Sequence, residues 1–355
     1  MDMIEMPNID IEEILCVALD SLQVYDGSGV FKNENNFKCE LFHNICSQKY
    51  NSIGLGEQYP GSKTSIAHCE AKVENGSESS RKADLIFCDP LKKMDGIGQT
   101  FNYHVSAVCE LKKNFTNIFF ANELAKFGKY KKPVGQYFFI EPYTNKKLSS
   151  ELLGVLKENG IKYLTPKNKP LNTVEYYPYL DTKEMIFSTL KEVLLLYGHN
   201  NSLFQSFYWC NYEHELNRGV TFPSEGDFKA HLYHRLKIKM PYSHIETEYC
   251  VGNKRRIDIV FFGPNKEWCI PIEVKMNWDQ FKLKYKEKVP FEEEAMTILS
   301  RFELLNKKQI KKITPILVVI QGDNYYSHKY SHHDSRNNKH RSLDILQKKG
   351  RDIVV

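Results

Sequence analysis

What most constrains this chain is that part of it occurs twice. Residues 33–45, NENNFKCELFHNI, align without a gap on residues 224–236, SEGDFKAHLYHRL, sharing Glu, Phe, Lys, Leu and His at five of thirteen positions. Glu34 therefore corresponds to Glu225. Downstream of each segment, an apolar run carrying an aspartate precedes a second apolar run ending in Glu-x-Lys. These are Asp84, Glu110 and Lys112 in the first copy, and Asp258, Glu273 and Lys275 in the second. The offset between equivalents is 191 at the helix glutamates (225 minus 34), 174 at the aspartates (258 minus 84) and 163 at the strand glutamates (273 minus 110). The first copy thus carries 17 and then 11 extra residues, which belong in loops. Two copies are too few for a solenoid, so the pattern describes a duplicated domain.

Side chains alternate across a strand, so Glu273 and Lys275 project from one face. A hairpin closed near Gly263 to Lys266 brings Asp258 alongside them. Two carboxylates and an ammonium then converge at a sheet edge. Like charges repel and desolvation disfavours both, so such a group is expensive to bury. A hard divalent cation between the carboxylates removes the difficulty.

The same order of elements is expected in both copies. An amphipathic helix with Glu34 near its start and Phe37, Leu41, Phe42 and Ile45 on one stripe leads to strands over 65–73, 82–88 and 103–111. A helix over 117–130 and a strand over 137–140 follow. Residues 89–99 have turn composition and read as a surface insertion. In the second copy Ser224 caps the helix with Asp227 three residues on. Strands over 245–251, 256–262 and 268–276, a helix over 291–305 and a strand over 315–320 complete it. A further helix at 9–24 reads as packing only. The fold expected is α/β: two tandem αβββαβ domains, each a mixed central sheet flanked by helices, over 1–165 and 206–355, joined by a helical linker at 166–205.

Composition sets the bounds. A hydrophobic content of 41% with 26% charged residues is ordinary for a globular chain, and 355 residues suffice for two cores. The formal charge of +5 permits a polyanionic partner without requiring one. Nine cysteines with no Cys-x-x-Cys pair indicate neither a disulfide framework nor a zinc knuckle. With no apolar run near the roughly 20 residues of a membrane span, and an acidic start unlike a signal peptide, no membrane partner is expected. The expected location is the cytoplasm.

The order helix, three strands, helix, strand, with an acid on the first helix, Asp on the second strand and Glu-x-Lys on the third, resembles the PD-(D/E)XK, or restriction-endonuclease-like, nucleases. The matching residues are Glu34, Asp84, Glu110 and Lys112, and again Glu225, Asp258, Glu273 and Lys275. Arg255 and Arg256 before Asp258, echoed by Arg81 and Lys82 before Asp84, are similar to many members. Neither aspartate follows a proline, and the Gln-x-x-x-Tyr of the RecB-like branch is missing. Context carries the resemblance, because a bare acid-x-Lys string occurs five times and only two instances end an apolar strand after an Asp-bearing strand.

The resemblance implies a Mg²⁺-dependent endonuclease, with Mn²⁺ able to substitute, acting on DNA, with RNA not excluded. Asp258 and Glu273 would hold the ion with Glu225 completing its shell, and Asp84, Glu110 and Glu34 would repeat this. Lys275 and Lys112 would orient or deprotonate the attacking water and offset phosphate charge. Lys282, Lys284 and Lys286 alternate with aromatics after Trp278 and Phe281 and would track a phosphate backbone. The His-rich segment 328–341 matches no zinc spacing and reads as a surface stretch. Two sites in one chain, a monomer acting as a pseudo-dimer or a homodimer, would give a double-strand break. Two other readings stand beside this one: a nucleic-acid-binding or scaffolding protein with one or both halves inactive, and an enzyme cutting one strand or a branched structure.

Overall fold

The structure is a computed structural model and describes residues 10–24, 30–48, 67–72, 82–93, 103–113, parts of 122–130, 135–143, 148–196, 224–252, 255–276, 291–306, 310–320, 329–334, 339–349 and 352–354. The first half runs α1 (Ile11–Asp20), β1 (Gln23–Val24), α2 (Glu34–Ser47), β2 (Ala67–Lys72), β3 (Lys82–Lys93), β4 (Tyr103–Leu111), a helical turn at 124–127, β5 (Gln136–Ile140), α3 (Ser150–Glu158) and β6 (Ile161–Leu164). Then come β7 (Leu171–Asn172) and α4 (Tyr179–Leu196). The second half runs α5 (Glu225–Lys239), β8 (His244–Gly252), β9 (Arg255–Phe262), β10 (Trp268–Met276), α6 (Phe291–Asn306), β11 (Lys312–Ile313), β12 (Ile316–Ile320), β13 (Lys329–Asp334), β14 (Lys339–Lys349) and β15 (Asp352–Val354).

The chain is mixed α/β, and its two large sheets share one plan. The first is ordered β2-β3-β4-β5-β6, with the first two pairings antiparallel and the last two parallel. The second contains β8-β9-β10-β12-β14 with the same succession, extended by β13 antiparallel to β14. Short β11 and β15 add to β10 and β14. A parallel neighbour requires a crossover, which the turn at 124–127 and α6 supply.

Between the sheets lies one apolar core. It joins Phe37, Leu41, Phe42 and Ile45 of α2 to Phe228, Leu232, Tyr233 and Leu236 of α5, with Leu85 and Phe87 from one sheet and Ile259 and Phe261 from the other. Both helices are therefore buried on every side near their middles, which is why Lys38, Glu40 and Asn44 are buried along with the expected stripe. The outer face of each sheet has its own smaller core, around Ile86, Val108 and Phe139 in one half and around Val260, Leu317 and Phe302 in the other.

Three expectations need correction. Residues 89–93 continue β3, pairing Asp89 with His104 and Lys93 with Tyr103 across register shifts, rather than forming an insertion. The His-rich segment is not an unstructured surface stretch but supplies β13 and β14, which pair antiparallel from Lys329–Asp344 to Asp334–Lys339. The acid-bearing strands β3, β4, β9 and β10 are interior to their sheets, since parallel strands were added beyond β4 and β10.

Candidate active sites

Each site begins at a helix N-terminus that the other half holds in place. Asn33 caps α2 by accepting from the Asn36 amide at 2.7 Å, and its Nδ2 donates to the Thr247 carbonyl at 2.8 Å. Asn36 Oδ1 accepts from Thr247 N at 2.5 Å. Ser224, as its sequence position implies, caps α5 by accepting from Asp227 N at 3.0 Å, and it donates to the Cys69 carbonyl at 3.2 Å. Asp227 Oδ1 accepts from Cys69 N at 2.6 Å. Asn33 and Ser224 are equivalent, as are Asn36 and Asp227, so the strapping is reciprocal. Asp227 is thereby used across the halves, with His68 Nδ1 2.9 Å from its Oδ2.

Glu225 and Glu34 are the first residues of these helices. In the second half the hairpin turns at Pro264–Lys266 and pairs β9 with β10 antiparallel, Phe262 opposite Cys269. Asp258 Oδ2 accepts from the Val274 amide at 2.7 Å, which fixes the aspartate against the Glu-x-Lys strand. Lys275 Nζ lies 2.8 Å from Glu273 Oε1, so the alternation expected from sequence holds. Arg301 on α6 donates to the same Glu273 oxygen at 2.8 Å. The first half repeats the frame: the Leu111 amide donates to Asp84 Oδ2 at 3.0 Å, and Lys126 takes the place of Arg301, 3.1 Å from Glu110 Oε2. Two differences separate the copies. Lys112 pairs with Glu34 at 3.1 Å instead of with its strand glutamate, and Tyr130 Oη donates to Glu110 Oε1.

Besides Arg301, Lys126 and Tyr130, sequence reasoning missed a lysine and a glutamate in each site. Lys38 and Lys229, one turn into each helix, reach the aspartates: Lys229 Nζ is 3.0 Å from Asp258 Oδ1 and Lys38 Nζ is 3.9 Å from Asp84 Oδ1. Both also pair with a carboxylate from the first strand, Lys229 with Glu248 at 2.8 Å and Lys38 with Glu70 at 2.7 Å. The lysine was visible as one of the five shared repeat positions, but no strand context drew attention to it. Of the basic residues expected near substrate, Lys82, Arg255 and Arg256 are exposed at the strand starts, with Lys82 3.7 Å from Glu70 and Arg256 4.0 Å from Glu248. Arg81, Lys282, Lys284 and Lys286 lie outside the described residues.

Burial sets the electrostatics. Desolvation, with Asp258 adding repulsion, pushes the Glu273 carboxyl up to about 7, and desolvation with Asp84 does the same to Glu110. Glu225 and Glu34 are also raised, by desolvation first and the neighbouring aspartate second. Burial opposes ionisation of Asp258 too, but Lys229 and Lys275 outweigh it and hold its carboxyl below the ordinary value. Lys275 is likewise disfavoured as an ammonium by burial, yet Glu273, Asp258 and Glu225 together raise it above its ordinary value. It is therefore a cation at neutral pH, able to donate hydrogen bonds and offset negative charge but not to remove a proton.

A test of fit for a metal is whether the carboxylates have oxygens to give. Glu273 Oε2 is buried and has no hydrogen-bond partner, while both Glu110 oxygens are taken, by Lys126 and Tyr130. Among the described residues, three His, Cys or carboxylate ligand atoms come within 4.8 Å of one another only at His68, Asp227 and His231. In the acidic clusters ammonium groups stand between the carboxylates. Glu273 has an open oxygen for a hard ion, and Asp258, whose oxygens accept from Lys229 and the Val274 amide, would share one of them with it. Comparison with protein-family models, curated proteins and solved structures finds no match to this chain.

Proposed function

We propose that this chain is a metal-dependent endonuclease that hydrolyses DNA phosphodiester bonds with two tandem restriction-endonuclease-like domains, one active site in each. The observation that carries the reading is the twofold recurrence of one constellation. An aspartate is locked by the amide of the strand that bears Glu-x-Lys, beneath a helix that opens on glutamate, on two sheets of identical strand succession.

Asp258 and Glu273 would hold Mg²⁺, or Mn²⁺ in its place, with Glu225 contributing through a bound water; Asp84, Glu110 and Glu34 are the first-site counterparts. The ion would supply positive charge at the phosphate and lower the pKa of bound water. Lys275 holds an ammonium beside Glu273, where it orients water and neutralises the developing phosphorane charge. Arg301 fixes the glutamate from behind. Exposed Lys82, Arg255 and Arg256 at the rim would meet backbone phosphates. Two sites in one chain favour a double-strand break.

The test is supercoiled plasmid incubated with Mg²⁺ or EDTA and wild type, Asp84→Ala, Asp258→Ala or the double variant. Linear product from wild type, nicked circles from each single variant and no cleavage from the double variant are expected. Nicked product alone from wild type would mean single-strand cutting. Plasmid left intact by wild type in Mg²⁺ and Mn²⁺ points to the alternative, a binding or scaffolding protein that keeps the fold without hydrolysis.

A further inference from the structure

Glu70 and Glu248 adopt positive φ, 50° and 49°. A glutamate in the left-handed region costs about 1 kcal/mol, because Cβ crowds the following carbonyl. The two occupy the same place in the two sheets. Glu70 lies between the pairs Cys69–Leu85 and Ala71–Ala83, opposite Asp84, and Glu248 lies between Thr247–Ile259 and Tyr249–Ile257, opposite Asp258. The local kink turns each carboxylate toward the buried lysine of the neighbouring helix. Strain recurring at equivalent positions, aimed each time at one ammonium, calls for a function of that ammonium.

In the second site the Lys229 ammonium is ringed by three carboxylates: Glu248 Oε1 at 2.8 Å, Asp258 Oδ1 at 3.0 Å and Glu225 Oε1 at 3.5 Å. Those oxygens come from a helix start and two strands, the oxygen-rich surroundings a hard cation prefers, spread more widely around the ammonium than they would be around a divalent ion. In the same cluster the buried Glu273 Oε2 lacks a hydrogen-bond partner. The cluster thus has two cation positions, one filled by an ammonium and one open.

We infer that Lys229 is a tethered cation filling the second cation position of this site, so that the site takes a single divalent ion, at Asp258 and Glu273; Lys38, between Glu70 and Asp84, has the same role in the first copy. Charge supports this. Setting aside Arg256, 4.0 Å from Glu248 but exposed and screened by solvent, Glu225, Glu248, Asp258 and Glu273 face Lys229, Lys275 and Arg301, leaving one net negative charge. One divalent ion brings the site to one positive charge, matched to a phosphodiester, whereas two would leave three. The inference rests on the metal assignment proposed above and deepens it.

The test counts bound Mn²⁺ by electron paramagnetic resonance titration of the full chain, without substrate. Asp258→Asn is expected to lose one ion relative to wild type, and Lys229→Met to gain one. Lys229→Met is also expected to melt below wild type in EDTA, from repulsion among the exposed carboxylates, and to recover more in Mn²⁺ than wild type does. Should the single variant fail to fold, Lys229→Met/Glu248→Gln preserves net charge and is expected to gain the same ion. If Asp258→Asn loses an ion while neither lysine variant gains one, the tethered-cation role is overturned and the metal site stands. If Asp258→Asn loses none, the metal assignment itself falls, and this inference with it.

Discussion

The Nδ1 atoms of His43 and His234 lie 3.0 Å apart, and these are equivalent residues of the two copies, 191 positions apart like Glu34 and Glu225. A residue facing its own counterpart is the signature of an isologous contact, so α2 and α5 meet as two subunits meet across a dyad. The chemistry cannot be fully symmetric, because one ring nitrogen must donate and the other accept. Both rings are neutral: burial, aided by Lys237, pushes His43 down to about 3, and burial, aided by His43, does the same to His234.

In the unfolded chain these rings titrate near 6.5. Between about 3 and 6.5 the unfolded state binds more protons, so their contribution to stability is present above 6.5 and is lost as pH falls toward 3. The pair is expected to lose on the order of 2 kcal/mol per ring between pH 6.5 and 5. Denaturant melts of wild type and His43→Phe/His234→Phe across that range check it: the double variant should show the shallower decline with acid.

Glu70 also explains a glycine. A Cβ on Gly226 would fall inside van der Waals contact of the Glu70 carboxyl group. Gly226 sits between Glu225 of one site and Asp227, which holds the other half, so the first-site carboxylate touches the start of the second-site helix. Gly226→Ala must displace Glu70 from Lys38, breaking a largely buried pair. A loss of about 1–3 kcal/mol is expected, and Gly226→Ala/Glu70→Ala, which removes the clash, should recover part of it in thermal melts.

Lys237 is fully buried, with its Nζ 3.4 Å from the Ser243 carbonyl. Burial pulls the ammonium down to about 7, against the attraction of Glu40. From there up to the unfolded value near 10.5 the unfolded chain binds more protons, so this residue works against folding at neutral pH and less so as pH rises. Lys237→Met should therefore stabilise by about 1–2 kcal/mol at pH 7, with a smaller advantage at pH 10, read from denaturant melts at both values.

Much of this arrangement was legible in the chain, and for a physical reason. Each of the five residues shared by the repeated helix is held by its surroundings. Glu34 and Glu225 open the sites, Phe37, Phe228, Leu41 and Leu232 are fully buried, and the two histidines meet on the pseudo-dyad. Lys38 and Lys229 complete the set. What could not be read was the kink at Glu70 and Glu248, because a left-handed glutamate has no sequence signature and is imposed by its partners. Nor could pairing of β13 with β14 be read from a polar, His-rich segment, where register rather than apolar alternation makes the strand.

The strand glutamates carry the last expectation. Glu273 keeps one open oxygen, whereas Tyr130 and Lys126 occupy both oxygens of Glu110. A metal ion entering the first site must displace one of those donors, so the second site should bind Mn²⁺ more tightly. Both carboxyls stand near 7 without metal, and binding requires the deprotonated form, so affinity at each site should rise by up to about tenfold per pH unit below 7 and level off above it. Tyr130→Phe frees Glu110 Oε1 and should narrow the gap between sites by tightening the first alone. Calorimetric Mn²⁺ titrations at pH 6, 7 and 8, with Asp258→Asn used to silence the second site, separate the two. Equal affinities in wild type, or a first site indifferent to Tyr130→Phe, would show that the occupied oxygens of Glu110 do not govern ion entry.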